Sequence, residues 1–184
     1  MSAAPEASVA RRIELLRSEF DGSFAEPARS HAAEHVELLA LRAGGRPYAL
    51  RLSQTAGLHP DRPVTPLPSP LAALLGLAGF AGTVVPVFDL AALLGHQVAA
   101  RPRWLVLAAG TPPLAFAFHD LDGHLRVPSD AIVAESDAGA GGGSLRGMVG
   151  LPGGTRPIVD VPAARAVVHT LAGHQHTREE EDRR

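Results

Sequence analysis

The sequence contains no cysteine and no lysine, few aromatic residues and no long apolar run. The absence of cysteine excludes disulfide bonds and thiolate metal sites. No stretch of about 18 apolar residues is free of glycine, proline and charge, so direct membrane insertion is not indicated. The net charge is −2 and the 17 basic residues form no stripe, which argues against nucleic-acid binding. The N-terminus lacks the apolar core of a secretion signal, so we expect a cytoplasmic protein.

The chain has 184 residues, of which 46% are hydrophobic and only 4% aromatic. This length suits one domain or two small subdomains. Because aromatic residues are scarce, the core must be built mainly from leucine, valine, isoleucine and alanine.

Most of the chain alternates short apolar segments with turns rich in glycine and proline. We predict strands over residues 36–42, 47–52, 83–88, 103–108, 114–119, 124–127, 131–135, 145–151 and 156–159. Residues 53–58 are predicted as a turn, residues 59–70 as a proline-rich ordered loop, and Asp122-Gly123 as a turn. This spacing leaves no room for helices between strands, so it predicts an all-β barrel or sandwich.

Both ends of the chain carry helical patterns. Near the N-terminus, four apolar residues form one stripe: Val9, Ile13, Leu16 and Phe20. The stripe either packs onto its own domain or docks a partner, and the first interpretation is favoured because so short a helix needs a surface to bury against. Near the C-terminus, a helix is predicted over residues 161–171 with Asp160 as its N-cap.

Residues 74–95 are the most structured stretch of the sequence. An apolar approach leads to a turn bracketed by Gly79 and Gly82, where glycine permits positive φ or close backbone approach. The strand that follows contains Pro86, which cannot donate a ladder hydrogen bond and so belongs at an edge, a bulge or a strand end. Asp89 is then a predicted N-cap for a short helix that ends at Gly95.

This stretch resembles the central signature of the CheW family of chemotaxis coupling proteins. It reads Gly-Leu-x-x-Phe-x-Gly-Thr-Val-Val-Pro-Val-x-Asp-Leu-x-x-x-Leu-Gly, and the similarity extends over about residues 35–168. One position of this stretch differs: this chain has Ala81 where the family usually has an arginine, which contributes to the structural or binding surface near the receptor groove. Together with the patterns at the two ends, the resemblance divides the chain into an N-terminal amphipathic helix and linker (1–34), a CheW-like domain (35–171) and a polar tail (172–184), which its composition predicts to be disordered.

The resemblance also implies a fold and a function. The expected fold is all-β with short helices: two small five-stranded SH3-like β-barrel subdomains packed side by side, plus N-terminal and C-terminal helices. The expected function is a non-catalytic adaptor with two partners, a CheA-type histidine kinase and the cytoplasmic tip of a chemoreceptor. It would be recruited to membrane-associated receptor arrays and need no cofactor. A second interpretation keeps the fold but replaces the receptor with another system, captured by the N-terminal helix.

The sequence contains one weak candidate for a catalytic site. A small metal-dependent hydrolase could use four neighbouring residues, His119, Asp120, Asp122 and His124. Neighbours along a strand point to opposite faces, however, so a solvated turn is favoured over a metal site. The glycine-rich stretch 139–144 matches neither a P-loop nor a nucleophile elbow. We therefore predict no catalytic residue and no metal.

Surface recognition remains as the predicted activity. The candidate partner-binding residues are Leu52, Leu58, Phe80, Ala81 and Val84. For Leu77, Val84 and Val87, simple core packing is the favoured interpretation. Phe80 is expected to be at least partly exposed, because it is a large aromatic in a turn flanked by glycines and such residues often anchor interfaces.

Overall fold

The computed structural model describes residues 34–97, 101–133 and 143–181, with side chains to residue 173. Its strands, in chain order, are β1 (His35–Ala43), β2 (Arg46–Arg51), β3 (Thr55–Pro60), β4 (Leu74–Phe80), β5 (Thr83–Asp89), β6 (Trp104–Ala108), β7 (Ala115–Phe118), β8 (Asp120–Pro128), β9 (Ile132–Val133), β10 (Leu145–Leu151) and β11 (Gly154–Val159). Two α-helices are described, α1 (Leu90–Leu93) and α2 (Val161–Glu181), with short 3₁₀ turns at Leu52–Gln54 and Ser129–Ala131. The predicted N-terminal amphipathic helix lies outside the described residues.

The strands form two sheets. Sheet one has six strands in the order β8-β1-β2-β11-β10-β9, and sheet two has five in the order β3-β6-β7-β5-β4. Neighbouring strands are antiparallel except for the pairs β2–β11 and β5–β7. The predicted all-β class with few helices is therefore confirmed, although sheet one has six strands where five were expected. The SH3-like barrel form of each subdomain stays a prediction.

Strand alternation distributes the apolar side chains among three cores. In β7, Phe116 and Phe118 enter a core shared by both sheets and α2. The intervening Ala115 and Ala117 face a second core built from sheet two alone, and a third core belongs to sheet one. Because successive side chains of a strand point to opposite faces, the short strand β7 contributes side chains to two cores at once.

The proline-rich segment after β3 covers the open edge of β4. Thr65 and Leu77 exchange two backbone hydrogen bonds of 2.8 Å each. Gly76 permits this approach, because a Cβ atom at that position would lie 2.0 Å from the carbonyl oxygen of Thr65. Covering the edge removes unpaired backbone groups that would otherwise attract other chains.

Both predicted aspartate caps are confirmed. The carboxylate of Asp89 accepts a hydrogen bond of 2.8 Å from the backbone N–H of Ala92 at the start of α1. That of Asp160 accepts one of 3.2 Å from the N–H of Ala163 at the start of α2. Each cap satisfies an N–H group that has no partner within its helix.

Three predicted boundaries need correction. Residues 55–60 form β3 rather than a turn, because β6 supplies a hydrogen-bonding partner that the local sequence does not show. Gly123 lies in an irregularity inside β8, where the register with β1 shifts, and not in a turn between strands. The backbone of α2 continues to Glu181, beyond the predicted end at residue 171 and into the segment predicted as a disordered tail. Glutamine, arginine and glutamate in that segment are good helix formers.

Candidate partner-binding surface

The hairpin that joins β4 to β5 turns at Ala81 and Gly82. Phe80 and Thr83 are paired across it, and φ is +46° at Ala81 and +82° at Gly82. Positive φ at both turn residues is the pattern of a type I′ hairpin, whose twist matches that of the strands. Alanine pays about 1 kcal/mol for this conformation, so the exposed Ala81 occupies a position where glycine or asparagine would be less strained.

Phe80 is buried, and the expectation of exposure was wrong. Its relative exposure is 6%, and its ring packs in the core of sheet two. The imidazole of His59 meets the ring edge-on at a centroid distance of 4.9 Å. The guanidinium carbon of Arg62 lies 5.1 Å from the ring centroid, in cation–π range. The segment after β3 thus covers the ring of Phe80, which the local sequence predicted to be exposed in a turn.

The outward side of the same hairpin is uncharged. Val84 is 64% exposed and pairs with Gly79, while Pro86 pairs with Leu77. We call these four residues the hairpin face. Core packing is confirmed for Val87, which is fully buried, but it was wrong for Val84. Alternation explains the difference, because Val85 and Val87 point into the core of sheet two and Val84 points away from it.

Pro86 fits this strand without losing a hydrogen bond. The N–H and C=O groups of its partner Leu77 both bond to Thr65 on the other side of β4. On the opposite side of β5, pairing with β7 begins only at Val87. Pro86 is thus the middle residue of β5 rather than a strand-end residue, and it stands where no ladder donor is required.

The remaining two candidates lie elsewhere. Leu52 is 36% exposed and belongs to the 3₁₀ turn where the chain crosses from sheet one to sheet two. Leu58 lies on β3 and is half-buried against the shared core. The structure thus brings Phe80, Ala81 and Val84 onto one hairpin, with Phe80 directed inward, and places Leu52 and Leu58 on other elements.

Gln54 is a structural residue that sequence reasoning missed. Its side-chain amide donates a hydrogen bond of 2.7 Å to the carboxylate of Asp160 and accepts one of 3.1 Å from the N–H of Val161. Its backbone carbonyl accepts from Ala109 at 2.9 Å. Gln54 therefore ties the crossover to the start of α2 and to the end of β6. Its partner Asp160 is 106 residues away, so no local pattern could have identified it.

The side chains of the proposed hydrolase site do not form a metal-binding group. Nδ1 of His119 lies 2.9 Å from the carbonyl oxygen of Arg101, and Nε2 of His124 lies 3.5 Å from Glu37. Among residues 34–97, 101–133 and 143–173, no group of three or more histidine, aspartate or glutamate side chains could hold a metal ion. These histidines are therefore arranged as surface contacts rather than as ligands.

Asp122 is held by two arginines. Its carboxylate accepts a hydrogen bond of 2.6 Å from Arg156 and lies 3.4 Å from Nε of Arg42. Partial burial alone would raise the pKa of this carboxyl, but the hydrogen bonds and charges of Arg156 and Arg42 outweigh it and lower the pKa. The ionised side chain thus serves as a link among β1, β8 and β11.

Asp89 has the opposite surroundings. It is almost fully buried at the end of β5, and this burial raises the pKa of its carboxyl, although hydrogen bonds from the N–H groups of Ala92 and Ala91 oppose the increase. Its arrangement is that of a helix cap.

No helix in the described part of the chain is both long enough and apolar enough to cross a membrane.

Comparison with known proteins relates this geometry to a family. A family model described as a CheW-like domain matches residues 37–167. The chain also resembles the crystal structure of the scaffolding protein TtCheW from Thermoanaerobacter tengcongensis, with a TM-score of 0.61 and 12% identity over 67% of this chain and 88% of that one. At this identity the likeness shows the fold alone. No match was found among curated proteins.

Proposed function

The chain belongs to the CheW-like domain family, and from this premise we propose that it is a non-catalytic adaptor between chemoreceptors and a CheA-type histidine kinase. The receptor partner is the cytoplasmic tip, and the adaptor works at membrane-associated receptor arrays without entering the membrane. The observation that carries this proposal is the hairpin face, a strand surface with an exposed valine and no charge.

The chemistry of the hairpin face suits a protein partner. The cores of protein interfaces are depleted of charged residues, and the hairpin face has none. Gly79 leaves a flat spot beside Val84, because a Cβ atom there would meet nothing within 4 Å. A partner can thus approach the backbone closely at this point and bury the exposed valine.

Coupling requires that two binding events influence each other through the adaptor. A receptor that binds differently to two states of the kinase complex shifts their equilibrium by that difference in binding free energy. The shared core joins both sheets, and Gln54 fixes α2 to the crossover between them. We assign the receptor tip to the hairpin face, because the resemblance places the turn residue near the receptor groove, and the kinase to a separate surface.

Ala81 gives this chain a distinct receptor interface. Arginine offers five donors in a fixed fork and alanine offers none, so we propose that receptor coupling differs from that of the family pattern. In Ala81→Arg, the turn keeps the same positive φ at an exposed position, and we expect tighter binding of a receptor signalling fragment. Ala81→Met controls for side-chain length. Unchanged affinity of Ala81→Arg for both partners would contradict the proposal that Ala81 alters receptor coupling.

Calorimetry on the full chain tests the adaptor directly. The kinase is titrated with and without the receptor fragment, using wild type, Val84→Asp and Val133→Asp. Val133 is a matched control, since it is 67% exposed on β9 of sheet one. We expect receptor to strengthen kinase binding in wild type and Val133→Asp. In Val84→Asp that enhancement should fall about tenfold, because the new carboxylate must be desolvated.

Each other outcome is informative. Kinase binding without any receptor enhancement in wild type would contradict receptor coupling while leaving a kinase interface. Binding to neither partner would overturn the adaptor proposal and leave family membership and fold. Equal loss in both aspartate variants would show that the effect does not come from the hairpin face.

A further inference from the structure

One end of sheet two carries three exposed arginines on two chain segments that are joined by a backbone hydrogen bond. The backbone N–H of Asp61 bonds to the carbonyl oxygen of Arg103 at 2.6 Å, which places Arg62 beside the start of β6. Arg103 in turn donates its N–H to Phe118 at 3.1 Å, and Arg101 lies two residues before it. We call Arg62, Arg101 and Arg103 the arginine cluster. All three are exposed, although the whole chain has a net charge of −2.

The cluster is only weakly neutralised by the protein itself. Among the described residues, Arg62 and Arg101 have no carboxylate partner. Arg103 lies 3.5 Å from Asp61, with both side chains more than 60% exposed, and such exposed pairs contribute little. Asp120, the other nearby carboxylate, lies 3.8 Å from His119. The three guanidinium groups therefore retain donors for an external acceptor.

Arg62 is oriented before any ligand arrives. Its guanidinium lies over the ring of Phe80, which limits the rotamers of a long side chain and lowers the entropy lost on binding. Asp61 next to it adopts φ +46°, a conformation in which aspartate is several-fold enriched among non-glycine residues. This backbone turn carries the chain from its contact with Arg103 to the ring of Phe80.

We propose that the arginine cluster binds an acidic peptide segment of a partner protein. Three guanidinium groups on two chain segments match several carboxylates along an extended or helical peptide, since arginine pairs with carboxylate through parallel hydrogen bonds. Single-stranded nucleic acid fits less well, because it needs aromatic platforms for its bases, and Phe80 is buried beneath Arg62. Arg62 covers the ring of Phe80, which points into the core of sheet two and away from the hairpin face, and the proposal does not depend on a receptor or a kinase.

A peptide titration tests this assignment without either signalling partner. The probe is acetylated hexaglutamate, with hexaglutamine as the uncharged control, added to the full chain at low ionic strength while amide NMR shifts are followed. We expect saturable shifts at Asp61, Arg62 and Arg103 with hexaglutamate alone. At about 0.5 M salt, where the Debye length is only a few Å, the shifts should largely disappear.

Two triple variants of equal net charge separate local recognition from general attraction. Arg62→Gln, Arg101→Gln and Arg103→Gln together should weaken hexaglutamate binding about tenfold, as expected for three exposed ion pairs. The control combines Arg46→Gln, Arg51→Gln and Arg126→Gln in sheet one and should retain most of the affinity. Far-ultraviolet circular dichroism confirms that both variants fold.

Three results would overturn the proposal. Equal weakening in the two triple variants would mean attraction by net charge only. Shifts centred outside the cluster would place the acidic site elsewhere. Tighter binding of a uridine oligonucleotide than of hexaglutamate at the same amides would assign the cluster to nucleic acid. None of these results bears on kinase or receptor binding, so they leave the adaptor proposal to its own test.

Discussion

Strand β8 of sheet one and the β4–β5 hairpin of sheet two both have one side that is more exposed than the other, but their exposed sides differ in chemistry. The exposed side of β8 is charged or polar, comprising Asp120, Asp122, His124 and Arg126. The hairpin face carries no charge, and its Val84 is largely exposed. Water and neighbouring ions satisfy a charged strand surface, whereas an uncharged one is stabilised only by burial. An exposed strand side without charge therefore indicates an apolar interface, whereas an exposed charged side does not by itself indicate one.

Gly76→Ala is expected to have the largest effect on stability. It disrupts sheet two where the proline-rich segment covers the edge of β4. The new Cβ atom would collide with the backbone of Thr65, and φ at this position is +144°. We expect the free energy of unfolding to fall by about 3 kcal/mol, measured by urea denaturation. Gly79→Ala is the control, because its Cβ meets nothing within 4 Å. Equal stability of the two variants would contradict the covered edge of β4.

Asp122→Asn removes the charged link of sheet one. At neutral pH we expect a loss of about 1 kcal/mol, because Arg156 and Arg42 lose their ionic partner. The folded pKa of Asp122 is lowered, so its stabilisation is present above about pH 4 and is lost as pH falls through the folded value. The deficit of the variant should therefore shrink in acid. A loss of stability in Asp122→Asn that does not change with pH would contradict the ionic link. Asp120→Asn, at an exposed position, is the control.

Asp89→Asn is expected to have the smallest effect and the opposite pH dependence. Asparagine caps a helix about as well as aspartate, so the cap is retained and only the buried charge is removed. The folded pKa of Asp89 is raised, so its contribution is present below the unfolded pKa and is lost as pH rises through the folded value. Relative to wild type, the variant should become more stable between about pH 4 and pH 7. Urea denaturation across that range should show the opposite trend from Asp122→Asn.

Local patterns predicted the parts of the fold whose causes are local. The bounds of β10 agree with the predicted strand 145–151, since it lies between a glycine-rich stretch and a Pro-Gly turn. The caps Asp89 and Asp160 follow from aspartate placed before an apolar helical run. Val87 was predicted as buried because β-branched apolar residues favour buried strands.

Features caused by distant residues could not be predicted in this way. Phe80 is buried because His59 and Arg62 fold over it, and those residues belong to a different strand and loop. Strand β3 exists because β6 pairs with it, about 50 residues further along the chain, so the local sequence does not show its partner. Three of the five candidate partner residues lie on the hairpin that the sequence identified. Only the exposure of Val84, which pairs with Gly79, shows which side of the hairpin faces outward.

A pair of glycine substitutions tests most directly whether the hairpin face is the receptor-binding surface. Gly79 and Gly150 are exposed strand glycines, one in each sheet, with open space at the Cβ position and no positive φ. We would measure binding of the receptor fragment to Gly79→Glu and Gly150→Glu by calorimetry. The account predicts that Gly79→Glu weakens binding at least about tenfold, because a charge enters an uncharged interface, and that Gly150→Glu binds like wild type. Wild-type affinity in Gly79→Glu would contradict it.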